Sequence, residues 1–303
     1  MYVIKMRTII CYFAVFAITL ASLGIIKLHT ESQTVSSVTE AKAVAEAEGD
    51  ALPSALGEKK IDVPIIMYHS ILRSSGGHSN YIIAETSFEN DLKFLKDNGY
   101  TTVVMQDLID YVHNGKALPE KPVVLTFDDG YSNNFLYAYP LLEKYNAKAV
   151  LSIIGYYTDL YTKSPDENPS YSHVTWDNIK VMMKSGLVEF QNHSYNLHTT
   201  DKGRNGTKKK RGENDADYKK VLTEDLGKLQ QEFKDNTNYT PNTFTYPFGS
   251  VSNASFEIIR ELGFKASLSC ESGMNKISRD PECLYMLKRY LRTPKKSAEA
   301  LLK

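Results

Sequence analysis

The sequence predicts an α/β fold, a distorted (β/α) barrel of about seven or eight strands, preceded by an N-terminal transmembrane anchor and a flexible stalk. Three observations support this prediction. An uncharged apolar run opens the chain, a polar segment with almost no large apolar residues follows it, and short β-like runs then alternate with amphipathic helical stretches. Of the 303 residues, 42% are hydrophobic, which is enough for one sizeable core.

Residues 1–28 have the properties of a membrane anchor or signal segment. Lys5 and Arg7 precede an uncharged run at 9–26, whose 18 residues would span ~27 Å as a helix. The preceding positive charges favour a cytoplasmic N-terminus. Small residues suited to cleavage come late, beginning at Ala41. We therefore expect a single-pass anchor in the cell membrane with the remaining chain extracytoplasmic, or a secreted protein if the segment is cleaved.

Residues 29–60 form the predicted flexible linker, because a Ser-, Thr-, Ala- and Glu-rich segment cannot offset its ordering entropy by burial. Residues 61–303 form the predicted globular domain. The 36 basic and 36 acidic residues cancel, so no global field attracts nucleic acid, and no protein partner is implied. Cys270 and Cys283 are the only possible pair in this domain, which excludes a disulfide scaffold, and they could bridge or remain thiols.

The alternation that predicts the barrel consists of short apolar runs separated by helical patterns. Ser87 and Thr175 are candidate helix caps, and those two helices should end at Gly99 and Gly186. The polar segment 201–217 should be a solvated loop rather than a specific anion site. The strand candidates are 63–68, 101–104, 123–127, 149–154, 187–191, 243–246, 264–269 and 285–290.

Two adjacent carboxylates, Asp128 and Asp129, directly follow the strand candidate 123–127 and precede Gly130. The carboxyl ends of barrel strands are where active sites are built, and Gly130 allows a turn that aims both side chains into one pocket. One carboxylate could then bind a metal while its neighbour acts as a general acid or base. Taken alone, the pair is more often an ordinary turn or helix cap.

Two imidazoles, His193 and His198, follow the strand candidate 187–191. Residues five apart do not share one face of a regular helix, so a loop must bring them together. Together with a strand-end Asp they supply the N, N and O ligands of an open site for a divalent ion such as Zn²⁺.

Two further elements end at the same predicted rim. The turn at Tyr246, Pro247 and Phe248 ends a strand and should expose aromatic rings, although as a lone motif it is only a tight turn. His69 ends the first strand candidate, where a structural histidine is the ordinary interpretation. The convergence of four elements on one rim is what favours a catalytic site.

These motifs resemble the polysaccharide deacetylases of carbohydrate esterase family 4, which share the NodB homology domain. The resemblance covers about 61–292 and is strongest at Thr-Phe-Asp-Asp-Gly (126–130) and His-Ser-Tyr-Asn-Leu-His (193–198). It implies a NodB-like distorted barrel in which Asp128 is the general base and Asp129, His193 and His198 hold the metal. The sequence around His69 and the five-residue spacing of His193 and His198 look most like the poly-N-acetylglucosamine deacetylase branch of Gram-positive surface enzymes.

The resemblance also implies that the backbone N–H of Tyr131 completes an oxyanion site, and that Pro247 and Phe248, with Tyr246 at the same turn, shape the substrate pocket. The chain departs from the family at two positions. Thr245 stands where many members have an Arg that clamps the base, and no His follows His198 to serve as the catalytic acid. We expect His69 to supply that acid through a permuted order of elements.

The predicted function is metal-dependent hydrolysis of N-acetyl groups from a cell-surface, cell-wall or extracellular polysaccharide of the peptidoglycan or poly-N-acetylglucosamine type, with release of acetate. The cofactor should be Zn²⁺, with Co²⁺ or another divalent ion as alternatives. One alternative function is a catalytically impaired glycan-binding module on the same fold, which the missing Arg and His would explain. Another is a non-haem iron oxygenase, because two His and one carboxylate also form a facial triad.

Overall fold

The computed structural model describes residues 60–74 and 79–303. The predicted anchor at 1–28 and all of the predicted linker except Lys60 lie outside these residues. Within the described ranges, none of the helices combines the length and the apolar character that a membrane span requires.

Twelve strands occur in the described part of the chain. From β4 to β10 they alternate with helices, as the hydrophobic pattern predicts. Their bounds are β1 Ile61–Val63, β2 Ile65–Tyr68, β3 Ser70–Leu72, β4 Ile82–Ala84, β5 Thr101–Val103, β6 Pro122–Phe127, β7 Ala149–Ile153, β8 Val188–Asn192, β9 Thr243–Thr245, β10 Ala266–Leu268, β11 Asn275–Ile277 and β12 Tyr290–Leu291.

The central sheet has 8 strands in the order β10, β9, β8, β7, β6, β2 and β12, with β5 also beside β6. Each of its pairs is parallel, which confirms the predicted parallel β/α architecture. Leu287 forms a parallel bridge with Leu268 of β10, and β12, a few residues further on, pairs with β2. The segment 287–291 therefore contacts both edges of the sheet, which curls back on itself. Two small pairs lie outside it, β1 with β11 and β3 with β4.

The helices are α1 Glu85–Asp97, α2 Met105–Asn114, α3 Tyr139–Tyr145, α4 Gly155–Lys163, α5 Trp176–Lys184, α6 Asp215–Thr237, α7 Ser255–Glu261 and α8 Ala298–Leu302. The predicted cap at Thr175 is confirmed, since its hydroxyl accepts the backbone N–H of Asn178 at 3.2 Å. The predicted cap at Ser87 is wrong. Strand β4 runs directly into α1 with Ala84 as the extended N-cap residue, so Ser87 lies inside the helix.

A buried ion pair fixes the C-terminal end of the domain. Arg292 Nε lies 2.6 Å from an oxygen of Asp91, and both side chains are at most 4% exposed. The same carboxylate accepts the backbone N–H of Ala298, the first residue of α8, at 2.9 Å and the phenol of Tyr68 at 3.3 Å. Asp91 thereby joins α1, α8 and the last residue of β2.

The four predicted elements end at the same side of the sheet. Strand β6 ends one residue before Asp128, β8 ends one residue before His193, and β2 ends one residue before His69. Strand β9 ends at Thr245, just before the Tyr-Pro-Phe turn. Because carboxyl ends of neighbouring parallel strands meet at one edge, these side chains share one region of the surface.

Candidate active site

The turn after β6 places the two adjacent carboxylates. The backbone N–H of Asp128 donates to the carbonyl of Tyr68 in the neighbouring strand at 3.0 Å. Asp129 and Gly130 then adopt left-handed conformations, with φ of 73° and 78°. A Cβ at Gly130 would lie only 2.9 Å from Ile153 Cγ2, so a side chain there would displace the turn from β7. The strand end and its glycine thus direct the two carboxylates into one site.

Asp129, His193 and His198 offer one ligand atom each, and these atoms lie within 4.8 Å of one another. The Nε2 atoms of His193 and His198 are 3.5 Å and 3.3 Å from Asp129 Oδ1. The structure therefore brings together the three residues that the sequence motifs predict as ligands.

The donor set fits a divalent cation. Asp129 Oδ1 is buried and has no hydrogen-bond partner among the described residues, which is costly unless a cation occupies the space beside it. Nδ1 of His193 lies 2.8 Å from the carbonyl oxygen of Thr245, which can only accept. The hydrogen is therefore on Nδ1, and the lone pair of a neutral ring is on Nε2, on the side of Asp129.

The loop between the two histidines is anchored by side chains from two elements. Ser194 has a φ of 73°, and its backbone N–H donates to Asn192 at 2.8 Å. The backbone N–H groups of Tyr195 and Asn196 donate to the two oxygens of Asp225, on α6, at 2.8 Å and 2.9 Å. Burial raises the pKa of Asp225 to about 6. Sequence reasoning missed Asp225, because nothing distinguishes it from the other acidic residues of a long polar helix.

The three ligand residues titrate differently. Burial raises the pKa of Asp129, but the adjacent imidazole of His193 and the charges of the other nearby histidines together outweigh burial and lower the pKa below its ordinary value. Burial also opposes the charged form of His193, yet the carboxylates of Asp129 and Asp128 raise its pKa. Burial and the charge of His193 lower the pKa of His198 to about 4. Of the three ligand residues, only His193 has a pKa raised above its ordinary value.

The predicted absence of an arginine beside Asp128 is wrong. Arg289 binds the carboxylate with two parallel hydrogen bonds, Nη1 to Oδ1 at 2.7 Å and Nη2 to Oδ2 at 2.8 Å. Its Nε donates to the carbonyl of Ser269 at 2.7 Å, which fixes the guanidinium plane. Burial alone would raise the pKa of Asp128, but the charge and hydrogen bonds of Arg289, together with the charges of His193 and His69, hold that pKa below its usual value.

Arg289 was missed because its position in the sequence differs from that of the family arginine. Arg289 lies just before β12, in the segment that contacts both edges of the sheet. Thr245, at the position of the family arginine, does not contact Asp128, and its hydroxyl bonds to Ser152 at 2.7 Å. One sequence signal was present: Arg289 is a charged residue within the strand candidate 285–290. A charge in a buried strand generally requires a partner.

His69 lies at the same site. Its imidazole meets the ring of Tyr81 edge-on with centroids 4.7 Å apart, and its carbonyl accepts the side-chain amide of Asn134 at 2.8 Å. Nδ1 of His69 is buried and has no hydrogen-bond partner in the described ranges. Burial lowers the pKa of His69, although the charges of Asp128 and Asp129 oppose that shift.

Of the predicted substrate-binding residues, three keep their predicted place and Tyr246 does not. Phe248 is 47% exposed and its ring centroid lies 4.1 Å from that of His198, while Pro247 is buried beside it. Tyr131 packs against His173, and burial together with the charge of Asp129 raises its phenol pKa to about 12. The prediction for Tyr246 is wrong. Its side chain is 0% exposed, because its ring packs on Phe244 in the core and its hydroxyl bonds to Ser255 at 2.8 Å.

Comparison with known proteins identifies the family. Residues 115–267 match the polysaccharide deacetylase family model. The Bacillus subtilis protein YxkH, which bears the family's name, is 31% identical over 260 residues, covering 85% of this chain and 81% of that protein. Poly-β-1,6-N-acetyl-D-glucosamine N-deacetylase of Escherichia coli is 25% identical over 232 residues, covering 71% of this chain. The match spans only 34% of that longer relative.

A solved structure shows the same fold. The Streptococcus pyogenes deacetylase PplD in complex with acetate superposes with a TM-score of 0.65 at 26% identity, covering 80% of this chain and 97% of that one. The enzyme class of these relatives is the predicted one, hydrolases that act on acetamido sugars. The match to the family model over half of the chain and the identity to YxkH agree with the motifs at 126–130 and 193–198. The chain therefore belongs to the polysaccharide deacetylase family.

Proposed function

We propose that the protein is a metal-dependent polysaccharide N-deacetylase that releases acetate from a poly-N-acetylglucosamine-type glycan. The observation that carries the proposal is the pairing of two carboxylates with different environments. Asp128 is neutralised by Arg289, whereas the partnerless oxygen of Asp129 faces two imidazoles. A base and a cation site side by side are what amide hydrolysis needs.

Asp129, His193 and His198 would hold the ion. A divalent cation there supplies Lewis acidity to the acetamide carbonyl and to the attacking water. The hydrogen bond from His193 to the Thr245 carbonyl fixes the ring orientation, and the contacts of Asp225 with the following loop hold His198 in position.

Asp128 would take the proton of the attacking water. Its lowered pKa keeps it ionised at neutral pH, and the two bonds from Arg289 hold the carboxylate plane. Each carboxylate oxygen retains a further lone pair for the proton. By resemblance to the family, the backbone N–H of Tyr131 would stabilise the developing oxyanion, with Pro247 and Phe248 shaping the acetyl pocket.

His69 would donate a proton to the departing sugar amine. The support is its place at the carboxyl end of β2, its buried and partnerless Nδ1, and the absence of any histidine after His198. Because burial lowers its pKa, the protonated imidazole would be a stronger proton donor than a solvent-exposed histidine.

A comparison of leaving groups tests this role. His69→Gln should retain its metal and lose much of its amide turnover, but lose less on an activated acetate ester, whose leaving group needs no proton. Equal losses on amide and ester would contradict the acid role.

Relatives named poly-β-1,6-N-acetyl-D-glucosamine N-deacetylases make that polymer the first substrate to test. Acetate release by Zn²⁺- or Co²⁺-loaded protein should be measured on poly-β-1,6-N-acetylglucosamine, peptidoglycan, chitin oligomers and acetylated xylan. We expect the first polymer to be used best. Release from xylan alone would contradict N-deacetylation. The alternative of a glycan-binding module loses one of its grounds, because Arg289 fills the place of the missing arginine.

We also propose an extracytoplasmic location with the uncharged run 9–26 as the membrane anchor, since the substrate class is found outside the cell and positive charges precede the run. Fractionation of cells followed by protease treatment of intact spheroplasts tests this. A full-length chain recovered in the soluble cytoplasmic fraction would contradict it.

A further inference from the structure

Two buried asparagines follow the turn that carries Asp128 and Asp129. Asn133 and Asn134 are 0% and 3% exposed, and they lie at the start of the helical segment that leads into α3. Residues Asn134–Ala138 form a π-helical turn, a rare conformation that is frequent at functional sites. Buried polar side chains require partners, and the partners of these two show which parts of the site they hold together.

Asn133 binds the strand that follows His69. Its Oδ1 accepts the backbone N–H of Ile71 at 3.0 Å, and its Nδ2 donates to the Ser70 hydroxyl at 2.7 Å. Nδ2 also donates to the carbonyl of Pro169 at 2.8 Å. Ser70 and Ile71 begin β3 directly after His69, so Asn133 fixes the backbone on one side of that histidine.

The start of the helical segment is also tied to the carboxylate turn. The backbone N–H of Ser132 donates to the carbonyl of Ser172 at 2.8 Å, and the N–H of Val174 donates to the carbonyl of Gly130 at 2.9 Å. Ser172 and Val174 belong to the same loop as Pro169, which Asn133 binds. The turn and the helix start therefore keep one position relative to each other.

Asn134 contacts His69 itself. Its Nδ2 donates to the backbone carbonyl of His69 at 2.8 Å. Oδ1 of Asn134 and Nδ1 of His69 are both buried and have no hydrogen-bond partner among the described residues. Leaving a buried polar atom unpaired lowers stability, and native structures retain few such atoms. Two of them on contacting residues of one site are an acceptor and a donor that can pair when the imidazole turns.

The protonation of the His69 ring gives this pairing a consequence. Burial lowers the pKa of His69, so near neutral pH the ring is neutral and carries hydrogen on one nitrogen only. An acceptor beside Nδ1 keeps the hydrogen there and leaves Nε2 free for the reaction. Catalytic side chains that move protons are generally oriented by a third group in this way.

We propose that Asn134 is a positioning residue for His69, because its Oδ1 accepts the Nδ1–H of the imidazole and thereby directs Nε2 to the departing sugar amine. Asn133 keeps Asn134 and the strand after His69 at a fixed distance from Asp128. This inference rests on the proposed function, in which His69 is the acid. The protonated ring gives its Nε2 proton to the amine nitrogen as the C–N bond breaks, and it keeps the Nδ1 hydrogen.

The test uses the full-length, metal-loaded protein and Asn134→Leu, which is close in size and removes one hydrogen bond together with the unpaired oxygen. The matched control is Asn242→Leu at the amino end of β9, which removes side-chain bonds to Gln106 and Gln191, both at 2.8 Å. Acetate release is measured on β-1,6-linked N-acetylglucosamine oligomers and on 4-nitrophenyl acetate, for each protein with and without His69→Gln. Thermal unfolding and metal analysis accompany the kinetics.

Asn134→Leu should lower kcat on the oligomers by about tenfold or more with little change in KM, because a misplaced acid weakens binding of the transition state only. The ester should lose less, since its leaving group needs no proton. In the His69→Gln background Asn134→Leu should cause no further loss, because no acid remains to be positioned. Asn242→Leu should keep the wild-type ratio of oligomer to ester activity.

Parallel losses on oligomer and ester, or an equal further loss in the His69→Gln background, would overturn the positioning role. Asn134→Ala, which adds no bulk, replaces Asn134→Leu if the leucine variant does not fold, with the same expected results.

Heteronuclear NMR of histidine-labelled protein provides a readout that does not depend on turnover. Wild type should carry the hydrogen of His69 on Nδ1, and Asn134→Leu should shift it towards Nε2. If wild type releases acetate but the tautomer is the same in both proteins, the positioning role fails and the proposed function stands. If wild type releases no acetate, the proposed function fails. A tautomer that still changes in Asn134→Leu then supports the orientation of His69, and an unchanged tautomer overturns it.

Discussion

Replacing Arg289 by Met should affect both stability and the pH dependence of catalysis. In the native protein the side chains of Arg289 and Asp128 are 0% and 3% exposed and joined by two hydrogen bonds. Removing one partner of such a pair leaves a buried charge without compensation, which costs about 3–5 kcal/mol. For a domain of this size each kcal/mol lowers Tm by about 2–4 °C, so the expected decrease is about 6–20 °C.

The kinetic effect follows from the same contact. Burial would raise the pKa of Asp128, but Arg289, His193 and His69 together lower it below its ordinary value. Without Arg289 the largest of these lowering contributions is lost and the pKa rises. A base works only when ionised, so the acidic limb of the kcat/KM profile should move to higher pH. The stability should change with pH for the same reason. In wild type the ion pair of Arg289 with Asp128 stabilises the fold above the unfolded-state pKa of Asp128 and loses that effect as the pH falls. In Arg289→Met, stability should instead decline as the pH rises.

The assay combines thermal unfolding with pH profiles of acetate release by the metal-loaded enzyme. Arg260→Met is the matched control, because Arg260 pairs with Glu282 at the surface, where the side chains are 39% and 69% exposed. It should change stability by no more than about 0.5 kcal/mol. An Arg289→Met enzyme with the acidic limb of wild type would refute the proposed role of Arg289.

Three further outcomes are expected. Asp91→Ala should lower stability by about 3–5 kcal/mol in denaturant titrations, because it leaves Arg292 buried and unpaired, and unchanged stability would contradict this. His198→Ala and Asp129→Ala should each lose the bound ion by metal analysis without unfolding, and retention of a tightly bound ion in both would disprove the ligand set. Metal binding near neutral pH should release protons from His193, measured by calorimetry in buffers of different ionisation enthalpy, and zero release would contradict its raised pKa.

The parallel architecture and the grouping of Asp129, His193 and His198 could be predicted because both depend on local patterns. Buried runs identify the strands, and parallel strands present their carboxyl ends on one side. A residue that follows a strand is therefore assigned to the site without knowledge of the strand order.

Arg289 and Tyr246 show where local patterns fail. The partner of Asp128 depends on the segment 287–291 contacting both edges of the sheet, which is a long-range feature that spacing does not encode. Tyr246 follows a strand directly, but its side chain faces the core, where Ser255 binds its hydroxyl. The direction of a side chain at a turn depends on backbone angles that hydrophobic periodicity does not specify.

The central claim is that Asp128 acts as the base beside a bound metal in N-deacetylation. Acetate release from poly-β-1,6-N-acetylglucosamine by wild type and Asp128→Asn, each with its metal content measured, tests it most directly. Wild type should release acetate, and the variant should keep its metal while turnover falls by about 10²-fold or more. A metal-replete Asp128→Asn enzyme with near-normal acetate release would contradict the account.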